Sequence, residues 1–218
     1  MVAAPSIQSA WEHTFVTCES RENQQRSLLW RESYSYLLGL YLGDWYLAQR
    51  PRGVFHLRIT LDRQYPSIIS AARTAVKTVM PGNQVSVRPR REFDAVEVSC
   101  YSKRWAQLLP QQGSGPKHLR PILLLDWQRA ITEQFPEALI RGLIHSDGSR
   151  FVARQRRHQR IYTYPRYCFK NESEDILQIF CAHLRLAGVH CTRASANTIQ
   201  IARRDSVETL DALVGPKR

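Results

Sequence analysis

The chain predicts an α+β fold made of two pseudo-symmetric αββαββα units, and three observations carry that prediction. Two apolar segments of the same character, Tyr36-Leu37-Leu38-Gly39-Leu40-Tyr41-Leu42-Gly43-Asp44 and Leu139-Ile140-Arg141-Gly142-Leu143-Ile144-His145-Ser146-Asp147-Gly148, recur about a hundred residues apart, as an internal repeat does. Each is followed by strand-like alternation, a helix and further short strands. Each half then closes on the same tripeptide, Gly115-Pro116-Lys117 in the first and Gly215-Pro216-Lys217 in the second. At 218 residues and 43% hydrophobic, the chain has enough apolar surface for one substantial core or two small ones packed together.

In chain order, residues 1–33 are mixed in charge and weakly periodic, with Trp11, Phe15, Val16, Leu28, Leu29 and Trp30 as anchors. They read as an accessory segment. The first unit spans 34–118. After its apolar helix, residues 54–62 alternate, with Phe55, Leu57, Ile59 and Leu61 on one face and His56, Arg58, Thr60 and Asp62 on the other. Residues 66–79 read as a helix with Pro66 in its first turn, stopped by Pro81-Gly82-Asn83. Strands at 84–88 and 95–101 and a helix at 103–109 follow. A polar, Gly-containing connection at 111–115 and an apolar stretch at 121–127 lead across a linker at 119–135. The second unit, 136–218, has strands at 149–154 and 162–169, then a helix at 173–187 opened by Ser173 and closed by Gly188. Strands at 189–192 and 198–202 and a helix at 205–214 complete it.

The repeated segments have a physical logic of their own. Gly39 and Gly43 lie one helical turn apart, as do Gly142 and Ser146, and such small residues let two helices cross closely, making the paired helices the interface between units. Asp44 and Asp147 end those helices, where the macrodipole is already negative, so a carboxylate there is unfavourable. Pairing the helices adds like-charge repulsion. A divalent cation and a phosphate sharing the site would relieve both penalties. Each acid taken alone also fits a helix-ending turn, Asp147-Gly148 in particular.

With these residues the chain resembles the LAGLIDADG homing endonucleases in their single-chain, two-repeat form, over residues 36–217. The resemblance implies two antiparallel sheets forming a DNA-binding saddle, with site-specific, metal-dependent hydrolysis of double-stranded DNA. It implies Mg2+ or Mn2+ at Asp44 and Asp147. By position it assigns assisting lysines to Lys117 and Lys217 and water-organising polar residues to Asp62 and Asn171, with Lys170 one residue from the latter. A solvated tail charge is the plain alternative for both lysines. The sequence departs from the family at Trp45, where the motif usually closes with glycine. A bulky residue beside the acid bears on cleavage more than on binding, and similar scaffolds serve bacterial DNA-binding regulators. A regulator without cleavage, or a maturase-like RNA binder, are the alternative functions.

Charge agrees with a polyanionic partner: Lys+Arg 31 against Asp+Glu 19, net +12. Arginine dominates, lysine standing only at Lys77, Lys103, Lys117, Lys170 and Lys217. Arginine forms two-pronged bonds to phosphate and guanine, although a high-GC genome gives the same bias. Candidate DNA contacts are His56, Arg58, Gln84, Ser86 and Arg88 in the first unit and Arg150, Arg154, Arg166, Lys170, Thr192 and Gln200 in the second. Arg90, Arg91 and Arg156 sit in basic clusters at neighbouring turns and suit phosphate contacts; a solvated surface is the plain alternative. Five cysteines, without a CxxC pair, indicate neither zinc nor a disulfide framework and suggest a reducing compartment. With no signal-like N-terminus and no long apolar run, the expectation is a cytoplasmic protein without membrane association. Both interface helices lie in one chain, so the expected state is a monomer with pseudo-two-fold symmetry.

Overall fold

The computed structural model describes residues 7–43, 45–90, 93–157 and 160–215, with side chains from residue 21 onward other than that of Arg157. Helix α1 (Ile7–Leu42) runs unbroken into the first repeated segment. The expected boundary at 33/34 therefore falls inside a helix. Strands β1 (Tyr46–Arg50) and β2 (Val54–Asp62), helix α2 (Pro66–Val79), strands β3 (Val85–Arg90) and β4 (Ala95–Ser102) and the short helix α3 (Trp105–Leu108) complete the first half. Helix α4 (Asp126–Gln134) leads into α5 (Pro136–Asp147), the second repeated segment. After it come β5 (Gly148–Arg157), β6 (Arg160–Lys170), α6 (Glu174–Leu186), β7 (Thr192–Ser195), β8 (Thr198–Ile201) and α7 (Arg204–Val214). The strands form two antiparallel four-stranded sheets of matching order, β1-β2-β4-β3 and β5-β6-β8-β7. The expected α+β repeat is the observed one.

Four details differ from the sequence reading, each for a local reason. Strand β1 escaped it because its five residues carry only two buried side chains, Leu47 and Ala48. The turn back to β2 uses left-handed backbone at Arg52 (φ 62°) and Gly53 (φ 70°). The β5–β6 ladder runs out to Arg157↔Arg160, well past the ends that hydrophobic alternation marks. Strand β7 starts at Thr192 rather than 189, because the amides before it are used elsewhere. Gly188 N–H and Val189 N–H donate to the Arg185 and Leu184 carbonyls at the end of α6, and His190 N–H donates to Ser206 Oγ. Finally, the linker contains α4, whose Gln128 is fully buried. Its amide donates to Tyr34 Oη (2.7 Å) and accepts from Gln111 Nε2 (2.6 Å), tying the linker to α1 and to the end of the first half.

What organises the rest is the crossing of α1 and α5. A Cβ on Gly39 would overlap the Leu139 carbonyl oxygen and lie 3.1 Å from Gly142 Cα, while one on Gly142 would overlap the Tyr36 carbonyl oxygen and lie 2.8 Å from Leu40 N. The two backbones touch. Around the crossing, Tyr36, Leu37, Leu40 and Tyr41 of α1 and Leu139, Ile140, Leu143 and Ile144 of α5 are buried in a single apolar cluster that also takes in the inner faces of both sheets. Helix α2 adds Ile68, Ala72, Val76 and Val79, and α6 adds Ile176, Leu177, Phe180 and Leu184.

Gly142→Ala is therefore expected to destabilise the protein by about 1–3 kcal/mol through overpacking against backbone, despite the roughly 1 kcal/mol by which alanine is the better helix former. Gly82→Ala, with nothing within 4 Å of its added carbon, should stay within about 0.5 kcal/mol of wild type. Urea unfolding of the two variants checks the contrast.

Candidate nucleic-acid interface and acid cleft

On the first sheet Leu57, Ile59, Leu61, Val98 and Cys100 point into the core. Cross-strand partners share a face, so the register arranges the outward side chains in rows. Tyr46, Arg58, Ser99 and Ser86 form one row, and Thr60, Glu97 and Arg88 the next; Asp62, Ala95 and Arg90 form the last. Gln84 directly precedes β3, and Arg91 lies outside the described residues. The sequence reading missed Glu97 in the middle of this face: Arg58 Nε and Nη2 donate to its Oε2 at 2.8 and 2.6 Å. His56 is buried under the Tyr101 ring, stacked at 3.9 Å, with neither ring nitrogen bonded to protein. Burial holds that imidazole below its ordinary pKa, and Tyr101 is the ring at the surface.

On the second sheet Tyr167 and Phe169 are buried, and the pairing Arg150↔Tyr167 puts Arg150 on the same, helix-covered side. Arg150 donates to both Asp211 oxygens on α7 (2.6 and 2.8 Å), and Tyr167 Oη donates to the same carboxylate (2.7 Å). Alternation carries Arg154 and Arg156 to that side also. The sequence reading had placed Arg150 and Arg154 outward; the structure reverses both, because register is counted from the buried Tyr167 and Phe169. The outer face instead bears Ser149, Phe151, Gln155, Tyr162, Tyr164, Arg166, Lys170, Thr192 and Gln200. Tyr162 and Tyr164 stack at 6.3 Å, and both stay about 40% exposed. Counting alternate residues back from Lys170, whose parity is opposite to that of the buried Phe169, reaches both.

At the C-terminal ends of the crossed helices lies a cleft of about 480 Å³ lined by Gly43, Trp45, Lys117, Asp147, Lys170 and Asn171, among others. Lys117, in a 3-10 turn after the first Gly-Pro, donates its ammonium to the Tyr41 and Gly43 carbonyls and sits 4.7 Å from the Tyr41 ring centroid. It caps the end of α1, where a cation suits the dipole. Asp147 accepts from Asn171 Nδ2 (2.7 Å) and Ser146 Oγ (2.9 Å). So Lys117, Asp147 and Asn171 are brought together. Asp62 is not with them. It lines a second cleft with Trp45, His145 and Ser146, and accepts from the Gln64 backbone and side chain. Asp44 and Lys217 lie outside the described residues. Gly43 packs on Ser146, where a Cβ would overlap the hydroxyl.

Asp44, the other expected metal ligand, lies outside the described residues, so the surroundings of Asp147 are described by themselves. Among the described residues no three His, Cys, Asp or Glu side chains converge, Asn171 presents its N–H to the carboxylate, and Lys117 brings a positive charge into the same cleft. Trp45 is 3% exposed and forms a wall of both clefts. Among the described residues no helix is long and apolar enough to cross a membrane.

Solved structures similar to this chain include I-DmoI in complex with DNA and Mn, at 15% identity and TM-score 0.54, covering 86% of this chain and 98% of that one. The N-terminal LAGLIDADG domain of DUF199/WhiA is similar at 13% identity and TM-score 0.53, over 87% and 85% of the two chains. The homing endonuclease I-WcaI, bound to its DNA recognition sequence, is similar at 15% and 0.53, over 86% and 82%. No protein-family model and no curated protein matches the sequence. The fold of this chain is the two-repeat LAGLIDADG fold.

The reversed register separates two arginines by role. Arg166→Ala, on the outer face, should weaken binding to duplex DNA by about 1–3 kcal/mol if it meets a base edge. Arg150→Ala should leave DNA affinity unchanged and lower stability by no more than about 1 kcal/mol, the side chains of the Asp211 pair being 39% and 38% exposed. Fluorescence anisotropy on a bound duplex, paired with thermal melts, distinguishes them.

Proposed function

We propose that this chain is a sequence-specific double-stranded DNA-binding protein that uses the LAGLIDADG scaffold as a transcriptional regulator and does not cut its site. The observation that carries this reading is Trp45, whose buried indole walls both the cleft of Asp147 and the neighbouring cleft of Asp62. The engaged Asp147 supports it: both carboxylate oxygens accept hydrogen bonds from side chains of the protein itself.

Binding falls to the two outer faces. Units 34–118 and 136–218 each lay one sheet along the major groove. Ser86, Arg88 and the Arg58–Glu97 pair read from the first, and Arg166, Lys170, Thr192 and Gln200 from the second. Arg90, at the edge of the first outer face, contributes phosphate contacts, which fix position without reading sequence, while Arg156, on the other side of its sheet, contributes only to the positive field. I-DmoI and I-WcaI were both solved with DNA, which favours the same partner here. One chain presents both sheets, so one chain binds one duplex, and light scattering on the complex should give that ratio.

A second reading, endonuclease, is favoured by one arrangement: Asp147, Lys117 and Asn171 face a single open cleft at the helix ends. That reading also needs Asp44 to bring a second carboxylate for Mg2+ or Mn2+.

A selection on randomised duplexes followed by incubation of the best-bound sequence with Mg2+ or Mn2+ separates the two. The regulator reading expects intact DNA. It also expects Asp147→Asn to bind as tightly as wild type or more tightly in metal-free buffer, since a carboxylate near phosphate repels it. Metal-dependent cutting by wild type that disappears in Asp147→Asn would replace the regulator with the nuclease. Trp45→Gly tests the wall directly: cleavage appearing only in this variant would show the indole to be what silences the scaffold.

A further inference from the structure

Cys181, on α6, and Cys191, the residue before β7, bring their sulfurs to 3.7 Å and share a hydrogen bond. Both are free and partly exposed, whereas Cys100 is buried. Two thiols this close on different elements are within a small side-chain rotation of the roughly 2.05 Å disulfide length.

We propose that Cys181 and Cys191 form a dithiol modification site that reacts with low-molecular-weight disulfides and closes to an intramolecular disulfide joining α6 to the start of β7. The two thiols are unequal. Cys191 Sγ donates to Cys181 in the neutral pair; with Cys191 ionised the same contact, helped by the positive charge of Arg185, favours its thiolate and holds that thiol down to about 7, while the contact together with burial pushes Cys181 well up. Cys191 is thus the attacking thiolate. It displaces one thiolate from an external disulfide and forms a mixed disulfide at its own sulfur. Cys181 then loses its proton to the released thiolate and attacks Cys191 Sγ, expelling the second half of the reagent. Two protein thiols are oxidised and one external disulfide is reduced to two thiols, so the exchange balances.

The new bond would tie elements that an ion pair already aligns. Arg193 on β7 holds Glu174 on α6 through two hydrogen bonds of 2.8 and 2.7 Å, so closure leaves β7 in place on the sheet. Thr192, beside Cys191, stands on that sheet's outer face. Modification therefore lands next to a surface proposed above to meet DNA, but the chemistry does not depend on that reading.

The test uses the full chain incubated with glutathione disulfide, quenched with acid and mapped by peptide mass spectrometry. The expected product carries a Cys181–Cys191 cross-link, has lost two free thiols per chain and regains them with dithiothreitol. Cys181→Ser should stop at a glutathione adduct on Cys191 with no cross-link, and Cys191→Ser, which also removes the contact that raises Cys181, should give at most an adduct on Cys181 and no cross-link. The wild-type map decides the matter even if a serine variant fails to fold. An adduct that persists on wild-type Cys191, a cross-link through Cys168 or between chains, or no reaction at either thiol would overturn the site.

Discussion

Backbone contact between α1 and α5 at Gly39 and Gly142 is the constraint on which the remainder of this molecule depends. No side chain fits between the helices there, so their crossing is set by main-chain atoms, and the flanking leucines, isoleucines and tyrosines pack around a fixed geometry. Because strands follow directly from both helix ends, this contact also sets how one sheet stands relative to the other. It brings the C-terminal ends of both helices to one place. The cleft that holds Asp147, Lys117 and Asn171 is a consequence of two glycines about a helical turn away from it.

The same region shows how the negative ends of crossed helices are satisfied. Lys117 places its ammonium on the last carbonyls of α1, and His145 joins Tyr36 Oη (2.9 Å) to the Val214 carbonyl (3.3 Å) at the end of α7. Thus each half's terminal segment is anchored to a motif helix. Lys117 in the first Gly-Pro-Lys therefore has a structural use whether or not it meets a substrate. Trp45 joins both clefts from the β1 side, so a change there would be felt at Asp147 and at Asp62 at once.

Positive charge is distributed less simply than composition implies. Arg58 is held by Glu97, Arg150 by Asp211 and Arg193 by Glu174, so several arginines serve the fold before they serve any partner. What remains on the outer faces is a mixed surface. The first is arginine with serine and threonine around Glu97 and Asp62, with Tyr46 and Tyr101 exposed beside them; the second carries exposed Phe151, Tyr162 and Tyr164. The halves are related by fold and differ in the chemistry they offer.

The sequence by itself determined the repeat, the glycine-marked interface helices, the order of most strands and helices, and a net positive charge. These follow from period, spacing and composition, which are local properties of the chain. Its reach ended where a residue's meaning depends on a partner distant in sequence. Glu97 beside Arg58, Asp211 beneath Arg150 and Asn171 against Asp147 are separated from those partners by 39, 61 and 24 residues. Alternation says that neighbouring strand residues face opposite ways, but it does not say which way is in. Only the burial of Tyr167 and Phe169 against the helices decided that Arg150 and Arg154 face them, and only the tertiary crossing decided that Lys117 and Asp147 share a cleft. Side-chain direction in a sheet has a period of two, so one buried anchor fixes every residue of the strand, and that anchor is chosen by packing.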